Sequence, residues 1–330
     1  MGAGRSAKKR VAAAQEQEIG SGYASQTYAR ALPQMGQPVR LPGCGGWLLR
    51  QRLGDTPFFD LRGSYPLFCC TDWQKLPTDI ASLDGTAVSV SLVTDALAEV
   101  DEGSLRECFR DRFYRFKTHY IADLSQPPRS FIVKHHRKNA AKALRTLDVF
   151  EAQEPLTYLE DWCRLYAVLI QRHCIRGPQT FSETSFAMQF RTPGIRVLVA
   201  RDSSKHVVGM MLCFTQGLNA YTHLAAFDST GYMKLASFGL MMRLIEGLSE
   251  EGYQCVDLGG VSGMIDAGAR VDGLARFKQG WSNAVRSVWF CGRVLDRAAY
   301  KELCRTCGNG ETEFFPAYRA NASQQYVPTL

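Results

Sequence analysis

The sequence predicts an α/β chain, in its narrower form α+β, with mixed and mainly antiparallel sheets flanked by helices and arranged in two units. Three observations predict it. Segments 195–200, 207–215 and 220–226 are rich in β-branched and aromatic residues and are separated only by the turn-formers Asp202-Ser-Ser-Lys205 and Gln216-Gly-Leu-Asn219, so they read as three hairpin-connected strands. Segment 234–251 places Leu235, Phe238, Met241, Met242, Ile245 and Leu248 at helical spacing, and Gly252 stands where a helix ends. A separate alternation of strand and helix signals precedes them over 86–150, and 330 residues suit two domains better than one.

Taken in order, residues 1–40 are rich in Ala, Gly, Gln and Ser without sustained periodicity and are expected to form a flexible, disordered arm. An N-terminal domain is expected over 41–152. It opens with a glycine-rich turn at 41–47, which fits neither the P-loop nor the dinucleotide spacing, and a short strand at 47–50. Strands then follow at 87–93, 117–123 and 145–150, with helices at 102–116 and 129–144 between them. After Glu154-Pro155 a C-terminal domain is expected over 153–330. It begins with a helix over 156–174, whose apolar face carries Leu159, Trp162, Leu165, Tyr166, Leu169 and Ile170, and a helix over 182–191 begun by Ser182. The three hairpin strands, the long helix and a strand at 253–258 complete it.

Hydrophobic residues make up 45% and charged residues 22%, the balance of a globular protein. The longest apolar run, 235–248, is interrupted by Arg243 and Glu246, so no membrane span is expected. Arg5, Lys8, Lys9 and Arg10 are not followed by an apolar segment, so the chain is expected to stay in the cytoplasm. Gly2 and Ser6 fit a myristoylation pattern, which leaves peripheral anchoring as an alternative to a plain tail. Eleven scattered cysteines suit reduced thiols rather than a disulfide framework. Cys304 and Cys307 form a lone CxxC with no second ligand pair, so no metal is expected.

Positive charge is concentrated. Between residues 104 and 147 lie eleven basic and three acidic side chains, an excess larger than the net charge of +7 of the entire chain. Phe109, Phe113, Tyr114, Phe116 and Tyr120 are interleaved with them, which suits a nucleic-acid backbone or a substrate with several phosphates. Arg112, Arg115, Lys117, His136, Arg137 and Arg145 are the candidate phosphate or tRNA contacts. A solvated helix face is the competing reading of the same block.

The order helix, helix, three antiparallel strands, long helix, strand resembles that of a GNAT acyltransferase domain. More specifically, Asp257-Leu-Gly-Gly260, Gly273-Leu274 and Arg276-Phe-Lys-Gln-Gly-Trp281 resemble the motifs of the FemABX family of tRNA-dependent aminoacyltransferases, and the likeness extends over roughly 88–290. It implies tandem GNAT-like domains, an aminoacyl-tRNA donor, and an amine acceptor that is a small amine, an amino sugar or a peptide. No further cofactor is implied. The long coiled-coil insertion of some members is missing, and Trp281 stands where phenylalanine is common.

The resemblance makes Lys278 a cation for phosphate or a developing oxyanion, since aminolysis of an ester builds negative charge on oxygen. Asp257 ends a strand at a glycine pair and is the second catalytic candidate. Tyr221 and His223 alternate on one strand, so His223 is the candidate proton acceptor and Tyr221 a substrate contact. Gly231, Gly259, Gly260, Phe277 and Trp281 complete the expected substrate-binding set. Two other functions compete with aminoacyl transfer. A coenzyme A-dependent N-acyltransferase would place pyrophosphate at the turn 228–233, where Asp228 would repel it and Met233 would crowd it. A non-catalytic nucleic-acid or phosphate-binding protein would use the basic block alone.

Overall fold

A computed structural model describes residues 20–175, 177, 180–261, 273–308 and 312–320. The basic run near the amino terminus and the myristoylation pattern lie outside the described residues. In chain order the strands are β1 (Gln37–Arg40), β2 (Trp47–Arg52), β3 (Phe59–Gly63), β4 (Ser89–Val93), β5 (Arg112–Asp123), β6 (Asp148–Glu151), β7 (Ile195–Arg201), β8 (Val207–Gln216), β9 (Asn219–Phe227), β10 (Cys255–Gly260) and β11 (Ala284–Val294). The helices are α1 (Gln26–Arg30), α2 (Leu76–Ala81), α3 (Glu102–Cys108), α4 (Pro128–Phe131), α5 (Lys134–Thr146), α6 (Leu159–His173), α7 (Glu183–Gln189), α8 (Ser229–Met233), α9 (Ala236–Glu250), α10 (Gly273–Gln279) and α11 (Arg297–Thr306). The mixed α/β class is as the sequence predicts.

The chain forms two compact units. The first is built mainly from Lys117–Ile175 and Ser182–Arg286, the second from Tyr23–Phe116 and the chain after Ser287. In the first unit the strand order is β5-β10-β9-β8-β7-β6. β7, β8 and β9 form the expected antiparallel hairpins, and β10 lies parallel to β9. The apolar face of α9 explains its place. Leu240, Met241, Leu244, Ile245 and Leu248 are buried in one core with Ala140 and Ala143 of α5 and Val256 and Leu258 of β10. Each such aliphatic side chain contributes about 1.5–3 kcal/mol before entropy is charged against it. Gly252 has φ +85°, the left-handed conformation that ends α9. The Ser182 hydroxyl accepts from the Ser185 N–H at 3.1 Å and caps α7 as its position suggests. Trp162 and Tyr166 of α6 meet Phe186 of α7 with ring centroids 5.5 and 4.8 Å apart.

In the second unit the order is β1-β2-β3-β4-β11-β5, over a core of Leu48, Leu61, Phe68, Val90, Leu92, Phe109 and Cys291. The Asp60 carboxylate, 4% exposed, pairs with Arg319 through bonds of 2.5 and 2.9 Å.

Three expectations are corrected. The boundary at 152/153 falls inside the first unit, which takes β5, α5 and β6 from the earlier half of the chain. Residues 22–40, placed in the arm, hold α1 and β1, because Tyr23, Tyr28, Ala29 and Leu32 are buried apolar anchors. The helix placed at 102–116 ends at Cys108, and Arg112 already belongs to β5. There the aromatic residues pair across strands: Phe113 stacks on Trp289 of β11 at 5.0 Å, a contact that a continued helix would forfeit.

Candidate active site

The first unit collects Lys117, His119, Asp257, Gly259, Gly260 and Lys278 around the end of β10, and the backbone explains how. Asp257 lies opposite Ile121 of β5 and Tyr221 of β9. Two residues further along β5, His119 lies opposite Gly260 rather than Gly259, so β10 carries one extra residue, a β-bulge. Gly259 supplies the turn with φ +79°. Gly260 supplies the space, since a Cβ there would lie 2.8 Å from His119 Cδ2. The glycine pair thus seats an imidazole against the sheet.

That imidazole is held by a carboxylate. His119 Nδ1 lies 2.8 and 3.0 Å from the two oxygens of Asp257, and the side chains of both residues are buried, 8% and 2% exposed. The Gly259 N–H donates to Asp257 Oδ1 at 2.7 Å, and the Thr222 hydroxyl donates to the Asp257 carbonyl at 3.2 Å. A carboxylate oxygen accepts, so the tautomer that this pairing favours carries its proton on Nδ1 and leaves the lone pair on Nε2. Nε2 has no hydrogen-bond partner among the described residues.

Lys278 closes the group from α10. Its ammonium donates to the Gly260 carbonyl at 2.7 Å. Burial pulls its pKa down to about 8, partly offset by Asp257 and reinforced by Lys117, whose own pKa burial also lowers. Two half-buried lysines therefore flank a buried His–Asp pair. Such a set can move a proton at Nε2 and stabilise negative charge on a nearby oxygen.

Other expected site residues are placed differently. His223 accompanies Phe214 at a ring separation of 5.0 Å, and its Nε2 lies 3.1 Å from Gln189 Oε1. Burial pushes its pKa down to about 3, which makes it a poor proton acceptor near neutrality. Tyr221 and Trp281 are core side chains, 2% and 0% exposed. Phe277 is half-buried and joins Trp281, Phe238 and His136 in an aromatic cluster with ring separations of 5.0–6.2 Å. His136, expected to meet phosphate, is 7% exposed and bonds through Nε2 to the Phe277 carbonyl at 3.0 Å. Gly231 is required by packing, because a Cβ there would lie 2.1 Å from the Val208 carbonyl oxygen. Its N–H donates to the Asp228 carboxylate at 2.8 Å, so α8 is capped by the side chain of the residue that precedes it.

Of the expected phosphate contacts, Arg115 and Arg145 are exposed and Arg112 and Lys117 half-buried, while Arg137 bonds the Arg129 carbonyl at 2.6 Å. His119 escaped notice in the sequence, where it is one more histidine of the basic block. Its meaning depends on a carboxylate 138 residues away. Among the described residues no group of side chains suits a metal ion, and no helix is long and apolar enough to cross a membrane.

Neither a family model nor a curated protein matches the sequence. Solved structures do match. FemX aligns over 88% of this chain and 96% of its own, with 12% identity and a TM-score of 0.64. The C-terminal domain (DUF2156) of a putative lysylphosphatidylglycerol synthetase from Agrobacterium fabrum aligns over 91% of this chain and 96% of its own, with 13% identity and a TM-score of 0.61. L-PGS from Bacillus licheniformis aligns over 88% and 92%, with 15% identity and a TM-score of 0.58. At such identities the likeness is one of fold. The chain has a FemX-like fold.

Proposed function

We propose that this protein transfers an aminoacyl group from the ester of an aminoacyl-tRNA to an amine, forming an amide. The observation that carries the reading is the convergence of Lys278 and the His119–Asp257 pair on the glycine turn that ends β10. In the reaction the amine nitrogen attacks the ester carbonyl, and the oxygen that gains charge is met by the Lys278 ammonium. His119 Nε2 takes the proton that the attacking nitrogen sheds, and Asp257 fixes the ring in the tautomer that can do so. The carbon–oxygen bond to the ribose then breaks, and the leaving oxygen takes the proton that His119 Nε2 had accepted. An activated ester needs no covalent enzyme intermediate for this.

The fold supports acyl transfer, and the name of one structural neighbour, a putative lysylphosphatidylglycerol synthetase, denotes an aminoacylated product. The state of α8 favours a donor other than coenzyme A, because the helix N-terminus that would receive pyrophosphate is occupied by Asp228. The test is transfer of labelled amino acids from a charged tRNA pool to small amines, amino sugars and peptides, with acetyl-coenzyme A run in parallel. Turnover with charged tRNA that falls about 10²-fold or more in His119→Ala is the expected result. Turnover with acetyl-coenzyme A alone, or an undiminished His119→Ala rate, overturns the proposal.

A further inference from the structure

The last turn of α10 leaves backbone carbonyls that the helix itself cannot pair. Local turns take three of them. The Gly280 N–H donates to the Arg276 carbonyl at 3.1 Å, the Trp281 N–H to the Lys278 carbonyl at 3.1 Å, and the Ser282 N–H to the Gln279 carbonyl at 3.3 Å. The Phe277 carbonyl, one residue before Lys278, is met from another helix. His136 Nε2 of α5 lies 3.0 Å from it, and a carbonyl only accepts, so the tautomer that this bond favours carries its proton on Nε2. The start of α5 adds a second bond, from the Val133 N–H to the Gly280 carbonyl at 3.1 Å. Both bonds hold the end of the helix that presents Lys278.

The imidazole has little room to do otherwise. Its ring stands edge-on to Phe238 and Trp281, with centroids 5.1 and 5.0 Å away, and lies tilted 5.6 Å from Phe277. Gly280 admits it, since a Cβ there would fall 2.4 Å from the ring. Nδ1 is buried and has no hydrogen-bond partner among the described residues, so a second proton on the ring would be unsatisfied. Burial accordingly lowers the pKa of His136, and the neutral ring keeps its one N–H on the carbonyl.

Lys278 depends on where that helix end lies. Its ammonium is 2.7 Å from the Gly260 carbonyl, and a Cβ on Gly259 would fall 3.0 Å from it. A displacement of α10 by about 1 Å would take that bond out of hydrogen-bonding range. The ammonium would then face water.

We infer that His136 is a positioning residue for Lys278: by holding the Phe277 carbonyl it keeps the ammonium on the turn that ends β10. His136 touches no reacting atom. The catalytic consequence rests on the transferase reading above, whereas the placement of the ammonium does not.

The test is the titration of Lys278, followed by labelling with acetic anhydride across pH and mass spectrometry of the peptide that contains it. The variants are His136→Gln, which keeps an N–H at a similar reach, and His136→Met, which keeps the length and loses the donor. Circular dichroism establishes that each is folded at the labelling temperature. The native midpoint lies near 8, His136→Gln stays within about 0.3 of it, and His136→Met rises by about one unit or more towards the 10.5 of an exposed lysine. If His136→Met does not fold, Gly280→Ala, which drives the ring off the carbonyl, takes its place with the same expected rise. A merely structural histidine would lower the urea midpoint of His136→Met and leave the Lys278 titration unmoved. That result overturns the inference, as does a native midpoint at 10.5 or a rise in His136→Gln as large as in His136→Met. Under the transferase reading kcat falls about tenfold to hundredfold in His136→Met and recovers in His136→Gln. Labelling needs no substrate, so a protein that transfers from no donor yet shows the expected titrations overturns the transferase reading alone.

Discussion

Lys278 holds its ammonium on the Gly260 carbonyl in a half-buried position, and this fixes the direction in which pH acts. Burial lowers its pKa to about 8 from the 10.5 of an exposed lysine. Between those values the unfolded chain binds the proton and the folded protein does not, so Lys278 destabilises the fold below pH 8 and the penalty fades as pH rises towards 10.5. Activity runs the other way. A cation that meets the oxyanion is lost as pH rises through about 8, so the turnover rate should fall on an alkaline limb centred there. Lys278→Arg keeps the charge at all accessible pH values and should remove that limb even where it lowers the maximal rate. Lys278→Ala should reduce the rate about 10²- to 10³-fold at pH 7. A pH–rate profile of the three proteins checks this, and a limb that persists unchanged in Lys278→Arg assigns it to another group.

At the level of elements, α5 meets the end of α10 closely. His136 sits so close to the chain after α10 that a Cβ on Gly280 would fall 2.4 Å from its ring, and His136 Nε2 bonds the Phe277 carbonyl. Gly280→Ala should therefore push the two helices apart and destabilise the protein by about 1–3 kcal/mol, read as a lower midpoint in urea. An unchanged midpoint would show that the ring gives way freely. This glycine was visible in the sequence as part of the motif ending in Trp281, but its purpose was not. Elements with a strong local signal were legible: β7, β8 and β9 are largely apolar runs bounded by turn-formers, and α9 carries an apolar stripe up to Gly252. The start of β5 was not, because Phe109, Phe113 and Phe116 also fit helical spacing and only the stack with Trp289 decides for a strand. The site was half legible. Asp257, Gly259, Gly260 and Lys278 are neighbours within a motif, while His119 joins them through a bulge that shifts β10 by one residue, which no local pattern encodes.

Over the whole molecule each compact unit draws on separated stretches of chain, and β5 and β11 each contribute residues to both. A fragment cut at the once-expected boundary, residues 153–330, would lack β5, α5 and β6 and with them Ala122, Ala140, Ala143 and Val149 of the first unit's core. It should show no cooperative urea transition, whereas the full chain should; a sharp transition in the fragment would restore the boundary near 152. Charge obeys a different logic from packing, because it acts through its placement on the surface. Eleven of the basic residues fall between 104 and 147, and within that stretch Arg115 and Arg145 are exposed on β5 and α5. If they meet phosphate, each releases a counterion when tRNA binds, and the logarithm of affinity falls with the logarithm of salt by about 0.7–0.9 per contact. Replacing both by alanine should then reduce the magnitude of that slope by about 1.5 between 50 and 200 mM salt, measured with uncharged tRNA. The two losses should add, since the side chains belong to different elements. A slope identical to that of the native protein would mean that this stretch is a solvated face, with its excess of positive charge serving solubility rather than recognition.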